Sequence, residues 1–118
     1  MRTIYIVDDD ESVRRALRLL TVACGFKTET FSSAEEFFGV VPNSSSGCLI
    51  LDIYMPGLSG WDAQKRVQVE SSRPVILMSA DKDGDFKDRA NRVGAFGYLQ
   101  KPFHDQELID LLGRVFLN

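Results

Sequence analysis

The residues best equipped for chemistry are carboxylates that end apolar runs. Asp8 and Asp9 follow TIYIV, and Asp52 follows CLIL just before the loop IYMPGLSG. Ser79 ends RPVILMS, and Lys101 follows AFGYLQ. A carboxylate resists leaving water unless something pairs with it, so a charge at the end of a buried run asks for a partner. Three carboxylates crowded together repel and raise one another's pKa unless a cation holds them. An all-oxygen set suits Mg2+, which keeps several waters and takes one or two protein carboxylates directly. With the fixed charge of Lys101 and the hydroxyl of Ser79, the set describes a place to hold a phosphoryl group. A carboxylate in that setting can itself be the nucleophile.

These groups meet only if the elements that carry them do. TIYIV (3 to 7) reads as a strand, rich in β-branched and aromatic residues. Asp10 is placed to cap a helix in which Val13, Ala16, Leu17, Leu20 and Cys24 recur at helical spacing, with Arg14, Arg15 and Arg18 outward and Gly25 as its end. KTETF is a more polar strand, expected near a sheet edge. Ser33 caps a short helix carrying Phe37, Phe38 and Val41, and PNSSSG is a loop. CLILD is a strand buried on both faces. Ser59 caps a third helix over about 61 to 71. A fourth strand, RPVILMS, leads through ADKDGD to a helix with Phe86, Ala90 and Val93 closed by Gly94. AFGYLQ is the fifth strand, and the last helix, about 105 to 117, presents Leu108, Leu111, Leu112 and Val115. Five βα units predict an α/β fold: a doubly wound, five-stranded parallel sheet with helices on both faces. Ligands then bind beyond the carboxyl ends of the strands, where all five chemical groups should gather.

The bulk numbers fit one domain spanning 1–118. A chain of this length buries roughly two-thirds of its unfolded surface. Net charge is 14 − 17 = −3, against a surface built for nucleic acid or anionic lipid. No stretch reaches the length of a membrane span, and no basic-then-apolar start suggests a secretory leader. Cys24 and Cys48 are isolated among apolar residues and read as reduced core thiols, consistent with a cytoplasmic home. The lone His104 has no clustered metal-ligand partner and reads as a surface residue.

Four stretches in order, IVDDD (6 to 10), LDIYMPGLSG (51 to 60), ILMSA (76 to 80) and GYLQKPF (97 to 103), resemble the receiver domains of two-component response regulators, with a flavodoxin-like (βα)5 fold. The resemblance covers essentially the whole chain. It implies that Asp52 accepts a phosphoryl group from a sensor histidine kinase, forming an acyl phosphate. Asp9, Asp52 and the backbone carbonyl of Tyr54 would ligand Mg2+, with Asp8 acting through a water. Lys101 would pair with a phosphate oxygen, aimed by a cis Lys101-Pro102 bond. Ser79 would swing to another oxygen, and Tyr98 would follow it inward as the switch aromatic. Such a domain is not a conventional enzyme, although it catalyses its own phosphorylation and dephosphorylation.

The same resemblance carries expectations beyond the pocket. Phosphorylation should alter the face formed by the fourth helix, fifth strand and fifth helix, promoting homodimerisation or release of a partner. The phrasing DDDESVRRAL and GYLQKPF is similar to receivers that precede helix-turn-helix output domains, so a DNA-binding output domain for transcription regulation would lie outside this chain. Tyr54 and Asp81 should flank the phosphoryl entrance and tune hydrolysis, Tyr54 by obstructing in-line water. Met55 and Pro56 read as loop architecture, Gly60 as a backbone demand and Trp61 as packing. Two alternatives stand beside this reading. A phosphatase of the haloacid-dehalogenase type also uses a strand-end Asp, but Tyr54 occupies the place of its second acid. A phosphate-independent interaction module is the other, opposed by the complete set Asp8, Asp9, Asp52, Ser79 and Lys101.

Overall fold

The structure, a computed structural model, describes residues 2–80 and 85–117. Its elements alternate strictly: β1 (Thr3–Val7), α1 (Glu11–Ala23), β2 (Lys27–Phe31), α2 (Ala34–Val40), β3 (Cys48–Asp52), α3 (Gly60–Glu70), β4 (Val75–Ser79), α4 (Asp85–Arg92), β5 (Gly97–Gln100) and α5 (Asp105–Val115). The strands are parallel and ordered β2-β1-β3-β4-β5, so the polar KTETF strand lies at an edge, as its composition requires.

Alternation along the central strands builds two cores. Ile4, Ile6, Cys48, Ile50, Ile76 and Met78 pack with Leu17 of α1 and Leu108, Leu111 and Leu112 of α5. Tyr5, Val7, Leu49, Leu51, Val75 and Leu77 pack on the other side with Phe37 of α2, Ala63 and Val67 of α3, and Phe86 and Ala90 of α4. Residues one apart on a strand face opposite ways, so strands buried on both sides must be apolar at every position. β3 and β4 are buried throughout, which makes the carboxylate of Asp52 and the hydroxyl of Ser79 exceptions placed at their last residues.

Asp10, Ser33 and Ser59 cap α1, α2 and α3 as their sequences predict, each accepting a backbone N–H of the first turn. Gly25 and Gly94 follow α1 and α4 with φ of 93° and 77°, the left-handed conformation of a helix stop. Some expectations are corrected. Cys24 is exposed, because α1 ends at Ala23 and Thr21 takes the inward position instead. Cys48 is a buried free thiol, its pKa pushed up to about 12 by burial. Arg14 is half-buried and turns toward β1. The fourth strand starts at Val75 and the fifth at Gly97, shorter than their apolar runs. PNSSSG is no idle loop: Arg73 donates to the carbonyls of Pro42, Ser45 and Gly47 and fixes the entry to β3.

Candidate functional site

Parallel strands put their carboxyl ends on one edge, and the register then decides which residues meet. Val7 pairs with Leu51, so Asp8 and Asp52 sit one step further on, side by side. They flank the point between β1 and β3 where the winding direction reverses, the ligand-binding position of such sheets. One carboxylate oxygen from each of Asp8, Asp9 and Asp52 lies within 4.8 Å of the others. The three are not equivalent. Asp8 is 1% exposed and Asp52 5%, whereas Asp9 is open to solvent. Asp10 completes the division of the DDD run: its own N–H donates to Asp8 Oδ1 at 2.9 Å, while its carboxylate caps α1 and is held below the usual range by the Ser12 hydroxyl and the Ser12 and Val13 amides.

Lys101 reaches this cluster from β5. Its Nζ stands 2.8 Å from Asp8 Oδ2 and 3.5 Å from Asp52 Oδ1. The backbone sets the angle: Lys101 N–H donates to the Ser79 carbonyl at 2.7 Å, and the Lys101-Pro102 bond is cis. Burial alone would depress the lysine pKa, but its hydrogen bond to Asp8 and the charges of Asp52 and Asp8 outweigh it and raise the value. Asp52 is pushed up to about 6, first by burial and then by the Asp8 charge, with Lys101 opposing both. A carboxylate of that pKa is mostly ionised at pH 7 and more basic than a solvated Asp, as a nucleophile should be.

The loop after Asp52 is pinned at its base. Ile53 N–H donates to Met78 O at 3.0 Å, and Gly60 N–H returns to Ile53 O at 3.1 Å. Gly60 allows that closure: a Cβ there would collide with Ile53 Cα and lie 2.5 Å from the Asp52 carbonyl oxygen. The backbone demand expected at Gly60 is thus one of close approach. Next in chain, Trp61 packs on Phe86 (centroids 6.0 Å apart), and Phe86 meets Tyr98 edge-on at 5.8 Å. Trp61 is therefore packed, as expected, but within a chain of rings running from the loop to β5.

The structure brings Asp8, Asp9, Asp52 and Lys101 together and places Ser79, fully buried, at the end of β4 beside them. Tyr54 is 56% exposed on the loop after Asp52, and Tyr98 is half-buried on β5. Asp81 lies outside the described residues. Two contributors escaped the sequence reading. Arg14 donates to the Asp8 carbonyl at 2.7 Å, and Glu35 accepts the Leu58 N–H at 3.2 Å. On the sequence, Arg14 looks like any outward helix arginine and Glu35 like a first-turn acid placed for the helix dipole.

The donor set fits a hard divalent ion: all-oxygen, carboxylate-rich, one carboxylate already open to water. His104 is exposed before α5, and no histidine or cysteine joins the cluster among the described residues.

Comparison with known proteins gives one consistent answer. The model of the response regulator receiver domain matches residues 4–113. The chain is 34% identical over 110 residues to the transcriptional regulatory protein FixJ of Bradyrhizobium diazoefficiens, covering 92% of this chain and 54% of that protein. It is 40% identical over 107 residues to the response regulator protein TodT of Pseudomonas putida, covering 90% and 47% respectively. The chain thus spans about half the length of these curated relatives. Among solved structures, the response regulator StyR superposes with a TM-score of 0.88 at 38% identity, covering 96% of this chain and 58% of that one. The structure of FixJ-N superposes at 0.87 with 30% identity, covering 98% and 93%. The haloacid-dehalogenase alternative falls with these matches. The strand order, the acids on either side of the switch point and the matched residues have one conclusion: this chain belongs to the response regulator receiver domain family.

Proposed function

We propose that Asp52 is the phospho-acceptor of this receiver, taking its phosphoryl group from the phosphohistidine of a sensor histidine kinase. The observation that carries the reading is a buried carboxylate at the end of β3, of raised basicity, with Lys101 Nζ 3.5 Å away and two further acids beside it. An Asp52 carboxylate oxygen attacks phosphorus as the P–N bond to imidazole breaks. The imidazole nitrogen leaves with the bond's electron pair and takes up a proton, and the product is an aspartyl phosphate. Asp9, Asp52 and the Tyr54 carbonyl would hold Mg2+, with Asp8 acting through a bound water. When bound, the ion supplies charge neutralisation at the phosphoryl oxygens.

The chain's own groups supply the rest. Lys101 offers a positive charge that needs no reorientation, since Asp8 already holds it in place. Ser79 would bond a phosphoryl oxygen, and Tyr98 would follow by repacking against Phe86. Nearly two added charges are enough to bias such a two-state element. Tyr54 and Asp81 would govern water access and so the lifetime of the acyl phosphate. The altered α4-β5-α5 face would form a homodimer or release a partner. Relatives of about twice this length that are named transcriptional regulators support a cytoplasmic protein whose receiver controls a DNA-binding output domain.

The deciding experiment is intact-mass spectrometry after incubation with acetyl phosphate, with and without Mg2+. A single Mg2+-dependent phosphoryl adduct is expected, absent from Asp52→Asn. No adduct from either acetyl phosphate or a histidine kinase, with no Mg2+ binding, would leave the phosphate-independent interaction module as the better account.

A further inference from the structure

The loop that carries Tyr54 has a second anchor, far from its base, in a helix with no residue in the acidic cluster. Glu35 of α2 accepts the Leu58 N–H through Oε2 at 3.2 Å. The same oxygen lies against Gly57, whose φ of 81° is in the left-handed region and where a Cβ would stand only 2.5 Å from it. Loop and carboxylate are thus fitted to each other: a glycine turn makes room, and the next amide in the loop, that of Leu58, fills the acceptor. The helical turn that carries Glu35 is itself anchored. Ser33 caps α2 by accepting Glu36 N–H at 3.1 Å, and Ala34 and Phe37 on either side of Glu35 and Glu36 are buried.

We infer that Glu35 is a positioning residue for the metal-holding loop, acting through the Leu58 amide; this rests on the proposed Mg2+ set of Asp9, Asp52 and the Tyr54 carbonyl. A ligand supplied by backbone has only the precision of its loop, and groups that orient ligands commonly matter about 10- to 100-fold in metal affinity. Asp52 belongs to a strand fixed on both sides by neighbours, whereas Tyr54 is in the segment between the pinned base and the Gly57–Leu58 turn. Glu35 closes that segment from the far end. Because one surface hydrogen bond carries the effect, the loss on its removal should be smaller than for a direct ligand partner.

Glu36 provides the control. It shares the first turn of α2 and its helix-dipole role, but it accepts the Ser32 hydroxyl at 3.0 Å and does not bond the loop amide. Mg2+ titration calorimetry on the wild type, Glu35→Ala, Glu35→Gln and Glu36→Ala should be paired with hydrogen exchange at the Leu58 amide. Glu35→Ala should weaken Mg2+ binding by about 3- to 10-fold and speed Leu58 exchange. Glu35→Gln keeps an oxygen acceptor and should restore both to within about 2-fold, and Glu36→Ala should change neither. Wild-type affinity in Glu35→Ala, or an equal loss in Glu36→Ala, would overturn the role of Glu35 while leaving the metal site standing. An absence of Mg2+ binding by the wild type would instead defeat the metal reading, and the inference with it.

Discussion

Lys101 donates to Asp8 at 2.8 Å across 93 positions of sequence, tying the last strand of the sheet to the first acid of the cluster. Asp8 is 1% exposed, so the lysine is the counter-charge that makes its burial tolerable. It also stands 3.5 Å from Asp52, and thus serves two acids at once.

Lys101→Met should therefore destabilise the protein in EDTA by about 2 kcal/mol. This is below the 3–5 kcal/mol of a fully buried pair because the lysine is partly exposed. Mg2+ should restore most of the loss, since a divalent ion would replace the missing charge. Thermal melts of both proteins in EDTA and in Mg2+ check this. An equal loss in the two buffers would mean that Lys101 acts through packing instead of charge.

Asp52 gives the pH dependence. Its folded pKa of about 6 lies above the unfolded value, so the metal-free folded state binds the extra proton between about pH 4 and pH 6. Stability in EDTA should fall as pH rises through that window and then level off. Asp52→Asn removes the titration, and its advantage should grow over the same window to the order of 2 kcal/mol at pH 7. Denaturant unfolding at pH 4.5 and pH 7 measures the difference. A constant advantage at both would contradict the raised pKa.

Gly60→Ala places a methyl against the Asp52 carbonyl and Ile53 Cα, both backbone and unable to yield as a side-chain tip would. It should cost about 1–3 kcal/mol, the range of overpacking, and slow acetyl phosphate labelling because the strain falls on Asp52 itself. Chemical denaturation and labelling time courses test both parts. Wild-type labelling in a destabilised variant would separate the loop closure from the chemistry.

Tyr54 is exposed two residues after Asp52, and in the proposed role its ring would obstruct water approaching in line with the acyl phosphate bond. Tyr54→Ala should shorten the phosphoryl lifetime several-fold, read by the decay of the mass adduct after donor removal. Unchanged or slower decay would rule out shielding.

Tyr98 is joined to Phe86 of α4, so a movement of the ring must disturb the α4-β5 surface. Sedimentation velocity should show dimer on phosphorylation, reduced in Tyr98→Ala. Phosphorylated protein that remains monomeric, with amide shifts confined to the pocket, would refute coupling through this face.

How far the sequence reached follows from which interactions are local. Caps are local, and Asp10, Ser33 and Ser59 were legible because a cap bonds an amide two or three residues away. The helices and the five βα units were legible because burial on one or two faces writes its period into the chain. Strand order was not derivable from periodicity alone, and the resemblance of four motifs supplied the receiver fold that fixes it. The fourth and fifth strands were begun two residues too early, at Arg73 and Ala95, because the residues before Val75 and Gly97 precede the first ladder pairs although the pattern runs through them. Cys24 was misplaced because Thr21, a residue of lower hydropathy, takes the buried position beside Thr28 through a 2.7 Å hydroxyl contact.

By itself, then, the sequence determined the elements, their caps and the placement of Asp8, Asp9, Asp52, Ser79 and Lys101 at strand ends. Tertiary structure alone decided that Asp8 is sealed while Asp9 faces water, that Lys101 divides its charge between Asp8 and Asp52, and that Arg14 and Glu35 hold the loops around them. The physical reason is range. Propensity and periodicity act over a few residues, whereas burial, charge pairing and the shared desolvation that raises Asp52 arise only when strands distant in sequence lie a few ångströms apart.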